Sequence, residues 1–505
     1  MKANRKLADF GELWPAEAKI RDEIDSGNFV VIGENLPDAD VGQERQVRAS
    51  FIRYLALGGC KKCKTHEKGL RVRGADIFGD GEGDDTKGID LEGCVLTLDL
   101  VLYNCRIEDM VLLRSCSGKT FNFIGSELLA GITADRLVAS GSLNLRDVKV
   151  EGKILVIAAK IGNNLDFGGA QLFNGSGAAV LADGSEIQGS VFLNGAKSNG
   201  IISLIGIKLG GDLICSEARF SNPFGVAISL DRLEAKRTFF LHKSTKIEGR
   251  ISLSGAKAGA LSDDLECWPS GEDSIGIDGF CYEAIIGENA PTDAASRLKW
   301  LAKVDHMNDF SPQPYEQLAQ VLRGMGHRND ARDVLIEKER LQRRARRMRL
   351  RAELLFEDAY WFSIWDRFLS ATVRYGYQPF IAVVWLGAFL ITGAFVFGNA
   401  EAKGAFKPNS SRVWQDDAWT DCAGPDQMDC YLASDEGKSY PKFSALIYSA
   451  DTLLPIVDLE LQNVWIPDEA KAPWVRRYLW VQILAGWALS LLAVAGFSGL
   501  IKKSD

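Results

Sequence analysis

The chain has 505 residues, beyond the length at which one hydrophobic core keeps growing, so two or three domains are expected. Its 59 lysines and arginines against 67 acids leave a formal charge of -8, which argues against a nucleic-acid binder, because phosphate neutralisation needs a basic surface. Apolar residues are unevenly spread: most of the chain is polar and rich in glycine, while two stretches near the C-terminus carry almost no polar group.

Residues 1–68 read as an N-terminal helical cap. The segment Met1 to Pro15 has Lys2, Arg5 and Lys6 with no apolar run behind them. It is therefore not expected to act as a secretory signal, and the front of the chain is expected in the cytoplasm. Near the end of the cap, Cys60, Cys63 and His66 in GGCKKCKTHEKG form a C-x2-C-x2-H cluster, a candidate metal or redox site. No second ligand pair follows at finger spacing, and a solvent-facing turn is the competing reading. Gly79 to Asp85, GDGEGDD, is glycine-rich, but its acids would repel a dinucleotide phosphate and no G-x-G-x-x-G follows a strand. No cofactor is expected.

Residues 69–261 carry a repeat. From Phe123 an apolar or small residue recurs at alternating steps of five and six, through Leu128, Ala134, Ala139, Leu145, Val150, Val156, Ile161, Phe167 and Leu172. The beat resumes at Ile187, Leu193, Ser198, Leu204, Leu209, Cys215 and Phe220. An α-helix cannot produce an eleven-residue beat of short β-rich pieces punctuated by glycine, whereas stacked coils of short strands that bury a continuous column can. A parallel β-solenoid is thus predicted, with Gly141, Gly152, Gly162, Gly189 and Gly200 at corners that need positive φ. Cys94, Cys105 and Cys116 share the eleven-residue spacing and read as stacked core thiols, with a metal ladder as the alternative. The four histidines, His66, His242, His306 and His327, share no motif, and no nucleophile-base pair stands out.

Residues 262–378 read as a helical linker. Pro314 to Leu341 is predicted to form a helical hairpin, with Tyr315, Leu318, Ala319 and Leu322 on one face, Gly326 as its stop and Asn329 as the next N-cap. The spacing resembles a single tetratricopeptide unit, too few to stack. The densest basic run follows, from Lys338 to Arg351, in which Arg343, Arg344, Arg346 and Arg347 are expected to face anionic lipid. Beyond it, Leu354, Leu355, Trp361, Phe362, Ile364, Trp365, Phe368 and Leu369 make an aromatic stripe suited to the headgroup level of a bilayer, or to a partner helix.

Residues 379–505 read as a two-pass transmembrane domain. Phe380 to Gly398 and Tyr478 to Ile501 contain no charge, and each is long enough to cross a ~30 Å hydrocarbon layer. The basic run before the first span and Lys502 and Lys503 after the second put both ends in the cytoplasm, although Arg476 and Arg477 weigh against that bias. The loop 399–474 is then outside, where Cys422 and Cys430 are expected to form a disulfide rather than remain two free thiols.

Between the spans, Phe443 to Leu459, FSALIYSADTLLPIVDL, is too short to cross. The order span, short segment, span is similar to that of two-pass tetrameric cation channels. On that likeness Asp451, Thr452, Pro455 and Asp458 are pore-loop candidates, with Asp451 and Asp458 forming acidic rings in a tetramer. Leu454 to Asp458 offers no filter glycine, so potassium selectivity is not expected. The competing reading is a helix that caps the bundle.

Several stretches together resemble a bacterial family of pentapeptide-repeat-like membrane proteins, some of which carry the label membrane-associated oxidoreductase. They are FIRYLALGG with HEKGLRVRGADI, the glycine-punctuated solenoid, PYEQLAQVLRGMGHRNDARDVLIEKER, RYGYQP, and YSADTLLPIVDL with NVWIP. The resemblance implies a bacterial inner-membrane location and a pentapeptide-repeat-like β-helix joined to membrane helices, and it carries over no catalytic residue. Two function classes follow. One is a non-enzymatic scaffold or sensor whose solenoid binds a protein partner; the other is a homo-oligomeric cation channel gated by the solenoid. An enzyme ranks third.

Overall fold

The computed structural model describes residues 6–39, 41–60, 63–80, 88–271, 273–304, 310–353, 356–422, 424 and 427–498. The chain divides into two compact units, Met1–Lys338 and Glu339–Asp505.

The first unit is a parallel β-solenoid of about eight turns. One coil is made of four short strands, Glu127–Leu128, Gly131–Thr133, Val138–Ala139 and Leu143–Asn144. The next coil repeats them 22 residues on, where Glu127 pairs with Lys149, Ile132 with Ile154, Val138 with Lys160 and Leu143 with Leu165, all parallel. Each side of the coil sends two residues inward, for example Leu143 with Leu145 and Ile154 with Val156, all fully buried. Branched and aromatic side chains favour this arrangement because they pack on the pleated ladders above and below. All the inward positions from Phe123 to Leu172 and from Ile187 to Phe220 are buried.

The gap in the beat between Leu172 and Ile187 has a simple cause. A four-residue insertion makes the register jump between Phe173 and Ala178, and a second one does so between Ser221 and Val226. Each loop is closed the same way, by Asn174 Nδ2 donating to Ala178 O at 2.6 Å and Asn222 Nδ2 donating to Val226 O at 2.9 Å.

The corner glycines act differently from the expectation. Positive φ falls every eleven residues at Arg136, Asp147, Ala158 and Gly169, the third residues of two tight turns per coil. Gly141, Gly162 and Gly189 have no positive φ; of the five expected corners only Gly152 and Gly200 do. At Gly162 what matters is close approach, since a Cβ there would lie 2.2 Å from Ser140 O of the neighbouring coil.

The solenoid also runs past 69–261. Val30–Val31 and Gln46–Arg48 pair with Val72–Arg73 and Asp76–Phe78, and at the other end Cys281–Ile285 pairs with Lys257–Leu261. Helices Pro15–Glu23 (α1) and Ala49–Ala56 (α2) stand at the N-terminal end. At the C-terminal end stand Ala294–Leu301 (α3) and Gln313–Gly324 (α4), where Gln317 Nε2 donates to Tyr282 O at 2.7 Å. Such coverage removes the open β-edges that would otherwise template aggregation. Tyr315, Leu318, Ala319 and Leu322 of α4 are buried as the hairpin reading expects. The next helix, Arg328–Ala352 (α5), starts one residue before Asn329, with Ala331 N–H donating to His327 O, so Asn329 is inside it and not its cap.

In the second unit, Phe356–Val373 (α6) runs back along the C-terminal half of α5. Phe380–Glu401 (α7), Ala445–Leu453 (α8) and Pro473–Phe497 (α9) form a three-helix cluster. The α7 and α9 helices are long and apolar enough to cross a membrane. The connection between α7 and α8 carries the disulfide Cys422–Cys430, and strand Phe406–Pro408 pairs antiparallel with Trp465–Pro467. Lys502 and Lys503 lie outside the described residues.

Candidate functional site

A buried polar cluster joins helices α7, α8 and α9 of the second unit. Gln482 of α9 is fully buried, and its Nε2 donates to Ser449 O, Ser449 Oγ and Thr452 Oγ1 of α8 at 3.0 to 3.1 Å. Ser449 Oγ in turn donates to Leu390 O of α7 at 2.9 Å. One amide and one hydroxyl thus tie three helices in an otherwise apolar cluster, where each unmade hydrogen bond is costly. Two glycines permit the approach: a Cβ at Gly486 would stand 1.9 Å from Leu453 O, and one at Gly393 would stand 2.3 Å from Ser449 Oγ. Gln482 carries a sequence signal that the pore-loop comparison passed over, being the sole amide between Tyr478 and Ile501.

The pore-loop candidates separate into inward and outward groups. Asp451 is buried, and its two oxygens accept the backbone N–H groups of Leu459 and Gln462, both at 2.7 Å, folding the segment after α8 back on itself. Thr452 is buried beside it and donates to Tyr448 O. Pro455 is half-buried, while Asp458 is exposed and accepts Glu460 N–H at 2.9 Å. Ile456, Val457 and Leu459 leave this turn with an exposed apolar rim.

Cys60 and Cys63 bring their sulfurs to 2.9 Å, next to the Tyr54 hydroxyl. Cys63 is buried and Cys60 is partly exposed, and burial followed by the hydrogen bond with Cys60 raises the Cys63 thiol pKa. His66 does not join them. Its Nδ1 accepts Lys68 N–H at 3.1 Å and its ring lies over Gly27. Among the described residues no group of three His, Cys, Asp or Glu side chains is arranged to hold a metal.

Cys94, Cys105 and Cys116 do not form one stack. Eleven residues is half a coil, so Cys94 and Cys116 share a side, whereas Cys105 lies beside Ser126 on another. Burial pushes the thiols of Cys105 and Cys116 up to about 12, which keeps them neutral and poor as ligands or nucleophiles. His242 and His327 lie apart from both cysteine groups, against Phe240 and near Asp330 respectively. His306 and most of GDGEGDD, from Gly81 to Asp85, lie outside the described residues, as do Leu354 and Leu355.

The basic run is partly spoken for. Arg343 and Arg347 both reach Asp366 on α6, and Arg343 and Arg346 lie over the Tyr375 and Phe362 rings. Arg344 is exposed on the same side of α5 as Arg347 and Arg351. Compared with family models, curated proteins and solved structures, the chain matches none.

Proposed function

We propose that this chain is a membrane-anchored, non-enzymatic scaffold or sensor, whose solenoid stands in the cytoplasm and whose helices α7 and α9 cross a bacterial inner membrane. The observation that carries the anchor is where the apolar surface lies. Ile391 and Phe395 of α7 are each 71% exposed, and Leu484 and Leu491 of α9 are 70% and 61% exposed. A core helix of a soluble protein would bury such residues, and a patch of this kind in water is a liability, whereas hydrocarbon satisfies it. The basic run before α7 supports a cytoplasmic origin of the first span, and the Cys422–Cys430 disulfide supports an oxidising compartment for the loop 399–474. For the solenoid, a rigid stack of coils with a charged outer face, such as the ladder Arg106, Glu127, Lys149, suits a protein partner. The family resemblance belongs to the same proposal.

A second reading is favoured by one observation, the placement of α8 against both α7 and α9 with an exposed acid just beyond it. In a tetramer Asp458 would then line a cation path. The inward use of Asp451 as a backbone acceptor argues for a fixed cap instead. Reconstitution into a planar bilayer separates the two. The anchor predicts a monomer or dimer by mass measurement and no current above that of the protein-free bilayer. A tetramer whose cation current falls on Asp458→Asn would establish the pore.

A further inference from the structure

The C-terminal half of α5 and helix α6 leave a cleft between them. It encloses about 610 Å³. Arg340, Arg344, Arg347 and Arg351 recur at intervals of four, three and four on α5 and therefore form one stripe. Arg367 lines the cleft from α6, together with Ser363 and Ser370. The one carboxylate in the lining, Asp366, is buried and already engaged by Arg347, with Arg343 at 3.7 Å on its other side. Arg344, Arg351 and Arg367 have no acidic partner among the described residues. Guanidinium groups gathered around one cavity repel each other unless an anion joins them. Their planar forks match the paired oxygens of a phosphate better than an ammonium would.

We propose that this cleft binds a phosphate-bearing group carrying two or more negative charges. Beyond the Arg347–Asp366 pair, the three guanidinium groups of Arg344, Arg351 and Arg367 exceed what a single monoanion needs, and the volume accommodates more than an isolated phosphate. Two sources share this chemistry, the headgroup of an anionic lipid and a soluble polyphosphate. The lipid source rests on the membrane-anchored reading and the soluble source does not. The exposed rings of Trp361 and Trp365 on α6 would place the cleft mouth at headgroup depth in the first case.

The test uses the full-length protein. Binding of inorganic pyrophosphate is measured by calorimetry in neutral detergent. Binding to cardiolipin, whose headgroup carries two phosphodiesters, is measured in nanodiscs against discs of phosphatidylcholine alone. The wild type is expected to bind one of the two, and the double variant Arg344→Gln, Arg367→Gln is expected to lose roughly tenfold or more in affinity for it. Arg346→Gln, which removes the same charge from α5 outside the cleft, is expected to leave affinity unchanged, and unliganded melting curves confirm that each variant is folded. Pyrophosphate binding assigns a soluble ligand, and binding only to cardiolipin discs assigns a lipid. No binding to either, or an equal loss on Arg346→Gln, overturns the site. Failure to enter discs of any composition would count against the anchor alone, because the pyrophosphate measurement stands without it.

Discussion

Leu145→Asp is expected to cost the solenoid about 3–5 kcal/mol, a large share of the roughly 5–15 kcal/mol by which native domains are stable. Leu145 is fully buried in a column with Phe123 in the coil before it and Phe167 in the coil after it. Its backbone N–H is already used, donating to Asp166 O at 2.7 Å, so the new carboxylate would find neither water nor a free donor. The damage should spread, because each coil of a solenoid is supported only by its neighbours. Urea denaturation followed by circular dichroism checks this, with Arg146→Ser as the exposed control, expected within about 0.5 kcal/mol of the parent. Equal stability of Leu145→Asp and parent would mean that the column is wrongly assigned.

Asp263→Ala is expected to be nearly as damaging at the C-terminal end of the solenoid. Asp263 and Arg297 of α3 are both 0% exposed and joined by two hydrogen bonds of 2.7 and 2.8 Å, with Trp268 Nε1 also donating to Asp263 at 2.7 Å. Removing the carboxylate leaves a buried, uncompensated guanidinium held by Pro291 O and the Trp300 ring alone among the described residues. Breaking such a pair from one side costs about 3–5 kcal/mol, whereas replacing both partners by apolar residues is often close to neutral. The double variant Asp263→Met, Arg297→Met should therefore recover most of the loss, and the same denaturation series measures both. A double variant no better than the single one would show that the pair organises the end cap by more than charge neutralisation.

Half of the solenoid core is legible as a periodicity and half is hidden. The five-and-six beat picks out one inward residue per side, such as Leu145 and Val156, because an apolar or small residue recurs there at a constant interval over many coils. The companions two residues earlier, Leu143 and Ile154, are equally buried, yet with short strands the period of two never runs long enough to be seen. The turn residues are hidden for another reason. Arg136, Asp147 and Ala158 take positive φ without being glycine, since the stacked coils hold them in a conformation their own preference does not signal.

The second unit shows a similar division. The length and lack of charge of α7 and α9 are local properties and can be read directly. The grouping of Gln482 with Ser449 and Thr452, or of Arg367 with Arg344, depends on which helix faces meet, and residues 23 to 33 apart share no local pattern. Gly393 and Gly486 are likewise ordinary in an apolar run, and their role appears only where α8 presses against them.

The central claim is that helices α7 and α9 cross a membrane, leaving both ends of the chain on the cytoplasmic side and the disulfide loop on the other. Paired reporters test it most directly in cells. An enzyme active only outside the cytoplasm should work when inserted beside Trp414, between the two spans, and fail when fused after Asp505. A fluorescent reporter that matures only in the cytoplasm should give the reverse pattern. Activity of the outside reporter at Asp505, or its silence at Trp414, would contradict the two-pass topology and remove the basis for a cytoplasmic solenoid.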